Sequence, residues 1–380
     1  MDPDATDLPR LACPKATELS ARYEYLKKTN NSSSDSNQIQ YFFALNLRQV
    51  LPLLPRLLGS IIEVIRFLGP EHCALSIVEG NSQDGTAEVL AALKDHLVNT
   101  TLNTTYYFQS SPINPTKGDR IAKLAKLRNM ALEPLLTTSP LSPKSTNTPT
   151  KVIFLNDVAA CPTDILELIH QHTRLQADMV CAMDWTYVGP DPTFYDVWVA
   201  RTMSGESFFR IPEDGSWDYA WNLFWNDPIA RQRYQSKKPF QVYSCWNGGV
   251  VFGAGVLFPD GGDDKKGVRF RAAKKVIESG KEREGEEGEC HQGEPQLFCK
   301  DLWVRGNGKI AVVPSVNFEY SDKDGGRIKE LKGYTSKSVV GGGGDDDKID
   351  WVLDPPEKVK CMPGPGYKNQ FFEPWNITVV

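Results

Sequence analysis

An apolar strand that ends on an amide and a carboxylate is the first feature of this sequence that could support chemistry. In the stretch KVIFLNDVAACPTDIL, the apolar run Val152–Leu155 is followed at once by Asn156 and Asp157. Turn formation alone accounts for such a pair, because Asn and Asp side chains bond to nearby backbone. The alternative is a hard-cation site, since one carboxylate with diphosphate oxygens and waters suits Mg²⁺ or Mn²⁺.

Two further polar positions follow apolar runs nearer the N-terminus. Asn46 lies in the predicted strand YFFALNL, and Glu79 ends the predicted strand ALSIVEG. Asp84 lies in the turn NSQDGT that leads into a helix. These acidic residues have two interpretations: a tight turn with a helix cap, or carboxylates that accept hydrogen bonds from a ribose or a base.

The predicted helix GDRIAKLAKLRNMALEPL carries four basic side chains. They are Arg120, Lys123, Lys126 and Arg128. A basic helix face is usually solvated and has no ligand. Contact of one or two of these cations with a pyrophosphate is the functional alternative.

Aromatic residues alternate with carboxylates after the middle of the chain. The residues concerned are Asp184, Trp185, Tyr195, Asp196, Trp198, Arg201, Trp246 and Asn247. Such a set forms either a large aromatic core or the wall of a carbohydrate site, where rings face sugar C–H groups and polar groups bind hydroxyls. Paired carboxylates also raise the possibility of a glycosidase.

The segment GECHQGEPQLFCKDLW contains both acidic residues and thiols. Its candidate residues are Glu289, Cys290, His291, Glu294 and Cys299. Cys290 and Cys299 are either a disulfide that closes a short loop or unpaired core thiols.

Strands alternating with helices from 41 to 185 predict an α/β fold with a mainly parallel, Rossmann-like sheet flanked by helices. Ligands of such sheets bind at the carboxyl ends of the strands, which places Asn46, Glu79, Asn156, Asp157 and Asp184 at one edge. We expect a polar tail over 1–40, a nucleotide-binding half over 41–185 and an acceptor-binding half over 186–380. Charged surface loops are predicted near 259–289 and 336–350.

Composition and charge exclude some classes of protein. A net charge of −5 gives no reason to expect nucleic acid as a partner, and every long apolar stretch is interrupted by charge. Eight cysteines and five glycosylation sequons, at Asn30, Asn31, Asn99, Asn103 and Asn376, favour the secretory pathway. The N-terminus does not resemble a signal peptide.

Taken together, seven segments resemble the fungal capsule-associated α-1,3-mannosyltransferase family. In chain order they are FFALNLRQVLPLLP, SIVEGNSQDGT, RIAKLAKLRNMALEPL, VIFLNDVAACPTDIL, CAMDW with FYDVWVAR, SCWNGGVVF and GECHQGEPQLFCKDLW. The resemblance implies a GT-A fold, GDP-mannose as donor, a glycan acceptor, and Mn²⁺ or Mg²⁺. It also implies the lumenal portion of a type II Golgi membrane protein, whose anchor would precede this chain.

The resemblance also implies a role for each site residue. Asp157 would bind the metal in an Asp-x-Asp-like motif in which Asn156 replaces a second carboxylate. The nucleotide sugar would contact Asn46, Glu79, Asp84, Arg120, Lys123, Arg128, Asn156 and Asp157. Asp184, Trp185, Glu294 and Asn247 would act in catalysis, and Trp246, Trp198 and Asp196 would bind the acceptor.

Transfer to an α-1,3 linkage from an α-linked donor implies retention of configuration, whereas Glu294 acting as a base would fit inversion. Three alternatives remain: a UDP-sugar donor, a catalytically silent sugar-binding protein, and a sugar nucleotidyltransferase. The last normally has a glycine-rich loop after the first strand, where this chain has LNLRQVLPLLP.

Overall fold

The helices and strands alternate along the first half of the chain. The computed structural model describes residues 11–14, 20–27, 38–98, 104–138, 150–259, 266–274, 277–278, 281–282, 289–290, 292–339, 348–363 and 369–377. Its α-helices are α1 (Ser20–Tyr23), α2 (Leu54–Leu68), α3 (Thr86–Val98), α4 (Arg120–Thr137), α5 (Pro162–Leu175), α6 (Pro228–Gln235), α7 (Glu294–Val304), α8 (Asp322–Lys332) and α9 (Thr335–Val339). Short 3-10 helices cover Glu24–Leu26, Pro70–His72 and Ala254–Leu257.

The strands form one large sheet and two small hairpins within the described residues. They are β1 (Tyr41–Leu47), β2 (Cys73–Gly80), β3 (Thr105–Ser111), β4 (Lys151–Leu155), β5 (Met179–Val188), β6 (Asp191–Phe194), β7 (Phe240–Gln241), β8 (Gly249–Gly253), β9 (Ile277–Glu278), β10 (Lys281–Glu282), β11 (Ile310–Phe318), β12 (Lys358–Cys361) and β13 (Phe371–Pro374). The large sheet has the order β3-β2-β1-β4-β8-β5-β11-β7, and β6 pairs with β5. Strands β8 and β7 run antiparallel to their neighbours in an otherwise parallel order. The predicted α/β class with a mainly parallel sheet is therefore confirmed.

Apolar periodicity explains the helices that cover the sheet. In α2, the apolar positions 54, 57, 58, 61, 65 and 68 are all buried, as the sequence predicts. The helix ends at Gly69, whose φ of 103° is a conformation that glycine adopts without a Cβ clash. Helix α5 begins at Pro162 as predicted, and the Asp164 carboxylate accepts the Cys161 backbone N–H at 2.7 Å.

Strand register brings the predicted polar positions to one edge of the sheet. Leu47 pairs with Glu79, Leu45 pairs with Leu155, and Asp184 pairs with Phe318. Each pairing lies near the carboxyl end of a parallel strand. The placement of Asn46, Glu79, Asn156, Asp157 and Asp184 at this edge is thus confirmed, although their roles are a separate question.

Part of the predicted polar tail packs onto the body. Leu11 and Tyr23 are buried, and the Glu167 carboxylate accepts hydrogen bonds from Arg22 at 2.9 Å and from the Tyr23 hydroxyl at 2.8 Å. The polar segment predicted over 1–40 is therefore anchored to the body at residues 11–14 and 20–27, because a few apolar and aromatic side chains suffice to hold it.

The predicted charged loops also lie partly in ordered structure. Val268 and Phe270 are buried, and Thr335–Val339 forms α9. The sequence gives no sign of this burial, because isolated apolar residues among charges produce no periodic pattern. Residues 260–265, 275–276, 279–280, 283–288 and 340–347 of these loops lie outside the described residues.

Three disulfides join distant parts of the chain. They are Cys13–Cys161, Cys181–Cys245 and Cys290–Cys361, while Cys73 and Cys299 are buried free thiols. The Cys290–Cys299 alternative is therefore wrong, and of these two residues only Cys299 is an unpaired core thiol. No helix in the described ranges combines the length and the apolar composition needed to cross a membrane.

Candidate active site

Asn156 joins the end of β4 to the turn before β8 and to α4. Its backbone N–H donates to Gly248 O at 2.9 Å. Its side-chain oxygen accepts from Trp246 Nε1 at 3.0 Å and from Arg128 Nη1 at 3.4 Å. Turn chemistry alone does not describe this residue, because its amide connects side chains from two other elements.

The turn before β8 requires its two glycines. Asn247 has φ 51° and Gly248 has φ 79°, both in the left-handed region. A Cβ at Gly249 would lie 2.8 Å from a Phe318 ring carbon and 2.9 Å from a Leu155 methyl. Glycine therefore lets this turn approach the end of β4 closely, which holds Trp246 beside Asn156.

Asp157 is the carboxylate at this edge that remains free of partners from other residues in the described chain. Its side chain is partly buried, and burial raises its pKa to about 6, against the opposing effects of its own backbone N–H and of Arg128. Among the described residues no group of three or more His, Cys, Asp or Glu side chains is arranged to hold a metal ion. A cation at Asp157 would therefore need further oxygen ligands from a bound molecule, which is the arrangement predicted from the sequence.

Arg128 lies inside an aromatic cage beside Asp157. Its Nε donates to Glu294 Oε1 at 2.8 Å, and both side chains are buried. The guanidinium carbon lies 4.5 Å from the centroid of a Trp246 ring, 5.3 Å from that of Phe154 and 5.6 Å from that of Phe270. A weakly hydrated, planar cation suits such a cage, and its carboxylate partner offsets the loss of solvation.

Phe270, one wall of this cage, is held by α4. The Asn129 side chain donates to Phe270 O at 2.8 Å and accepts from Phe270 N at 3.0 Å. The Phe270 ring also stacks on Phe298, with centroids 4.6 Å apart. The Asn129 hydrogen bonds and the stacking on Phe298 thus hold the Phe270 ring against the Arg128 guanidinium.

Asp184, which is buried, and Asp196, which is half-buried, form a carboxylate pair. Asp184 accepts the Tyr320 hydroxyl at 2.6 Å and the Asp196 backbone N–H at 3.3 Å, while Asp196 accepts the Asn247 backbone N–H at 2.9 Å. Burial and the charge of Asp196 raise the pKa of Asp184 well above its usual value. Burial also raises the pKa of Asp196 to about 6, with the Asn247 N–H and Arg128 opposing it. We conclude that Asp184 holds a proton more readily than an ordinary carboxylate.

The tryptophans of this region belong mainly to the interior. Trp185 is buried, its Nε1 donates to Asn317 Oδ1 at 2.8 Å, and the Lys332 ammonium lies 4.0 Å from the centroid of its ring. Trp246 is buried in the Arg128 cage, and Trp198 is half-buried against the core. Direct contact of these rings with a sugar stays a prediction.

Glu79 and Asp84 accept hydrogen bonds from their own turn and from neighbouring elements of the chain. Glu79 is buried and accepts from the Ser110 hydroxyl at 2.8 Å and from the Ser82 N–H. Asp84 accepts from Leu51 N at 3.0 Å and from Thr86 N at 3.1 Å. Burial acts to raise the pKa of Asp84, but these hydrogen bonds prevail and lower it. The turn interpretation of Asp84 therefore accounts for its contacts, and nucleotide binding by Glu79 and Asp84 stays a prediction.

An open groove of about 590 Å³ lies beyond the ends of β2 and β3. It is lined by Asn81, Pro112, Ile113, Asn114, Lys117, Ala122, Lys123 and Lys126. The Lys123 ammonium donates to Asn114 O at 3.2 Å and to Lys117 O, so it stabilises the loop over the groove. Arg120 is exposed at the first turn of α4. The Asn46 side-chain oxygen, on β1, is buried and has no hydrogen-bond partner within the described part of the chain.

Sequence reasoning missed Tyr320, Asn317 and Lys332, which complete the surroundings of Asp184 and Trp185. Tyr320 lies just past the end of β11, as Asn156 lies just past the end of β4, so its position at a strand end was the available signal. Phe270 offered no signal, since it stands alone between charged residues.

Comparison with known proteins gives one family and one curated relative of high coverage. The family model described as Cryptococcal mannosyltransferase 1 matches residues 40–301. The alpha-1,3-mannosyltransferase CMT1 of Cryptococcus neoformans var. neoformans serotype D is 35% identical over 390 aligned positions, which cover 100% of this chain and 76% of that protein.

Solved structures resemble this chain only remotely. Staphylococcus aureus TarS 1-349 has a TM-score of 0.38 and 11% identity, over 81% of this chain and 67% of its own. The mannosyltransferase PcManGT from Pyrobaculum calidifontis, in complex with GDP-Man and Mn²⁺, also has a TM-score of 0.38 and 11% identity, over 87% of this chain and 73% of its own.

Proposed function

The chain belongs to the Cryptococcal mannosyltransferase 1 family, and we propose that it transfers mannose from GDP-mannose to a mannoside, forming an α-1,3 linkage with retention. As a member it is a hexosyltransferase of the GT-A type, and mannosyl transfer is the activity that its family shares. The α-1,3 linkage is the one in the name of its curated relative.

The observation that carries the proposal is the free carboxylate of Asp157 beside the caged cation Arg128. Both lie at the carboxyl edge of the sheet, where ligands of parallel sheets bind. A carboxylate with no hydrogen-bond or ion-pair partner among the described residues and a buried guanidinium are complementary to a metal-bound diphosphate. Asn156 connects them through its hydrogen bond from Arg128.

The Asp157 carboxylate fits a divalent ion whose other ligands are diphosphate oxygens and waters. Asp157 would supply a single carboxylate oxygen ligand, which is sufficient for Mg²⁺ or Mn²⁺ when phosphates and waters complete the shell. When bound, such an ion supplies Lewis-acid stabilisation of the leaving diphosphate. A pKa of about 6 means that Asp157 is ionised, as a ligand must be, only above weakly acidic pH.

Charge around the groove supports a nucleotide diphosphate donor. Lys117 and Lys126 line it, and Arg120 lies at the N-terminal end of α4. Cations at this position favour phosphate, as does the helix N-terminus. The Asn46 oxygen is a buried acceptor without a hydrogen-bond partner in the described part of the chain, and opening of the groove would be needed for a nucleoside to reach it.

Glu294 is held by Arg128, which supports retention. Oε1 of Glu294 accepts from Arg128 Nε at 2.8 Å and the side chain is buried, so this carboxylate positions the guanidinium and is not presented to an acceptor hydroxyl. In a front-face path the departing phosphate accepts the acceptor proton, so this chain needs no enzymic base. Arg128 then stabilises the negative charge that develops near Asp157.

The test is a donor screen with GDP-mannose, UDP-glucose, UDP-galactose and UDP-xylose, with Mn²⁺ and with EDTA. Manganese-dependent turnover of GDP-mannose, lost in Asp157→Ala and kept in the exposed control Asp350→Ala, is the expected result. Turnover of a UDP-sugar instead would overturn the donor, and full activity of Asp157→Ala would overturn the metal site. NMR of the first product anomer decides retention against inversion.

We further propose that the protein works in the Golgi lumen, as the soluble portion of a type II membrane protein. Three disulfides and the exposed sequon residue Asn376 support a secretory location. Expression of the full-length protein in a fungal host, with endoglycosidase digestion of Asn376→Gln and its parent, tests it. A parent that carries no glycan and stays in the cytosol would contradict the proposal.

A further inference from the structure

Tyr195 presents an aromatic ring at the mouth of the candidate active site. It follows the last residue of β6 and is 47% exposed. Its backbone N–H donates to Asp184 O at 3.1 Å. Among the aromatic residues between 185 and 200, it alone is exposed, since Trp185 and Phe194 are buried and the others are half-buried.

The Tyr195 ring packs against the ring of Tyr320 on its protein side. Its centroid lies 4.8 Å from that of Tyr320, with 58° between the planes, and the Tyr320 hydroxyl is bound to Asp184. A ring fixed on one face and open on the other loses little conformational entropy when a ligand contacts it. Tyr195 is thus pre-organised, unlike a freely rotating surface tyrosine.

The side chain of Tyr195 lies in the electric field of the carboxylates of the candidate active site. Burial raises the pKa of its hydroxyl, and the charges of Asp184, Asp196 and Asp157 raise it further, whereas Arg120 lowers it. All four charged groups therefore lie close enough to act on this side chain. Through its backbone hydrogen bond to Asp184 and its place in sequence beside Asp196, the tyrosine borders this carboxylate pair.

We propose that Tyr195 is the platform on which the acceptor mannose ring packs, with the C–H face of the sugar against the exposed face of the tyrosine. This inference rests on the proposed mannosyl transfer. An aromatic ring beside carboxylates is how proteins bind the two kinds of surface that a sugar offers, C–H faces and hydroxyls. The ring is assigned to the acceptor because the basic groove proposed for the donor diphosphate lies beyond β2 and β3, and β1, β4 and β8 separate those strands from β5 and β6, which lead to Tyr195.

The experiment compares Tyr195→Ala and Tyr195→Phe with a control, Tyr219→Ala. Tyr219 is 39% exposed, and its ring packs against Arg210, with the guanidinium carbon 5.2 Å from the centroid. We expect Tyr195→Ala to raise the acceptor KM about ten-fold, while the donor KM and the rate of donor hydrolysis without acceptor stay unchanged. Tyr195→Phe keeps the ring and should restore the acceptor KM, and Tyr219→Ala should resemble the wild type.

Direct binding separates this inference from the proposed reaction. Methyl α-mannoside is titrated into each protein and followed by NMR, and thermal unfolding confirms that each variant is folded. If Tyr195→Ala loses mannoside binding and Tyr195→Phe keeps it, the platform is supported. This holds even if the wild type transfers no mannose, and in that case only the proposed reaction is overturned. If the wild type transfers mannose and Tyr195→Ala keeps both its acceptor KM and its mannoside binding, the platform is overturned and the proposed reaction is not. A rise confined to the donor KM, or no mannoside binding by the wild type, also overturns it.

Discussion

Asp157→Asn should stabilise the protein while it abolishes transfer. The substitution keeps the size of the side chain and removes the negative charge that would bind the metal ion. Because burial of this carboxylate raises its pKa, the folded state holds the charged form less favourably than water does. Function would thus be maintained here at the expense of stability.

The magnitude follows from the two pKa values. The folded value of about 6 against an ordinary 3.8 corresponds to about 3 kcal/mol, at 1.36 kcal/mol per unit of pKa. The folded state binds the proton more tightly than the unfolded state, so stability falls as pH rises from 3.8 to 6 and the full penalty is present above pH 6. The advantage of Asn is therefore about 3 kcal/mol at neutral pH and roughly 1 kcal/mol at about pH 4.5.

Thermal and urea unfolding at these two pH values measure the effect in metal-free buffer. For 380 residues, about 3 kcal/mol raises Tm by about 4 °C. Asp350→Asn, at an exposed position, should leave Tm unchanged. Mn²⁺ with GDP should stabilise the wild type and not Asp157→Asn, since binding to the folded state adds stability. An unchanged or lowered Tm for Asp157→Asn at neutral pH would refute the assignment of a buried, unpaired carboxylate.

Three further substitutions test the site. Arg128→Met should lower the free energy of unfolding in urea by about 3–5 kcal/mol, because Glu294 is left buried without a partner. Adding Glu294→Gln should recover most of that loss. An unchanged free energy of unfolding for Arg128→Met alone would contradict the buried ion pair. Replacing Cys181 and Cys245 by serine should cost about 4 kcal/mol through the 64-residue separation they close, measured by urea midpoint against the oxidised parent. Gly248→Ala should cost about 1–3 kcal/mol, because its φ is 79° and the new methyl would lie 3.0 Å from a valine methyl; an unchanged Tm would show that this turn relaxes freely.

The first half of the fold was predictable because its signals are local. Apolar spacing defined α2 from 54 to 68, and the apolar run before Asn156 defined β4, with each boundary marked by Gly, Pro, Asn or Asp. The carboxyl edge of the sheet followed from strand alternation alone. Local periodicity therefore carried enough information for the elements and for their polar ends.

The contacts that assemble the site were not predictable, since they join residues far apart in sequence. Asn156 meets Trp246 across 90 positions, and Arg128 meets Glu294 across 166. Phe270 lies between two arginines, where composition favours solvent, and its burial is explained by tertiary contacts with Arg128, Asn129 and Phe298. Tertiary packing, rather than propensity, placed these side chains.

The disulfides also determine what a single cut in the backbone would do. Cys13–Cys161, Cys181–Cys245 and Cys290–Cys361 close three separate rings that do not overlap in sequence. A nick inside any ring leaves the two fragments covalently joined, whereas a nick between 161 and 181 or between 245 and 290 leaves them held only by packing. A nick between 245 and 290 would release, on denaturation without reductant, one fragment that ends after Trp246 and another that begins before Glu294. Each disulfide thus keeps the site residues within its own ring covalently joined after a cut. No disulfide joins the site residues of one ring to those of another.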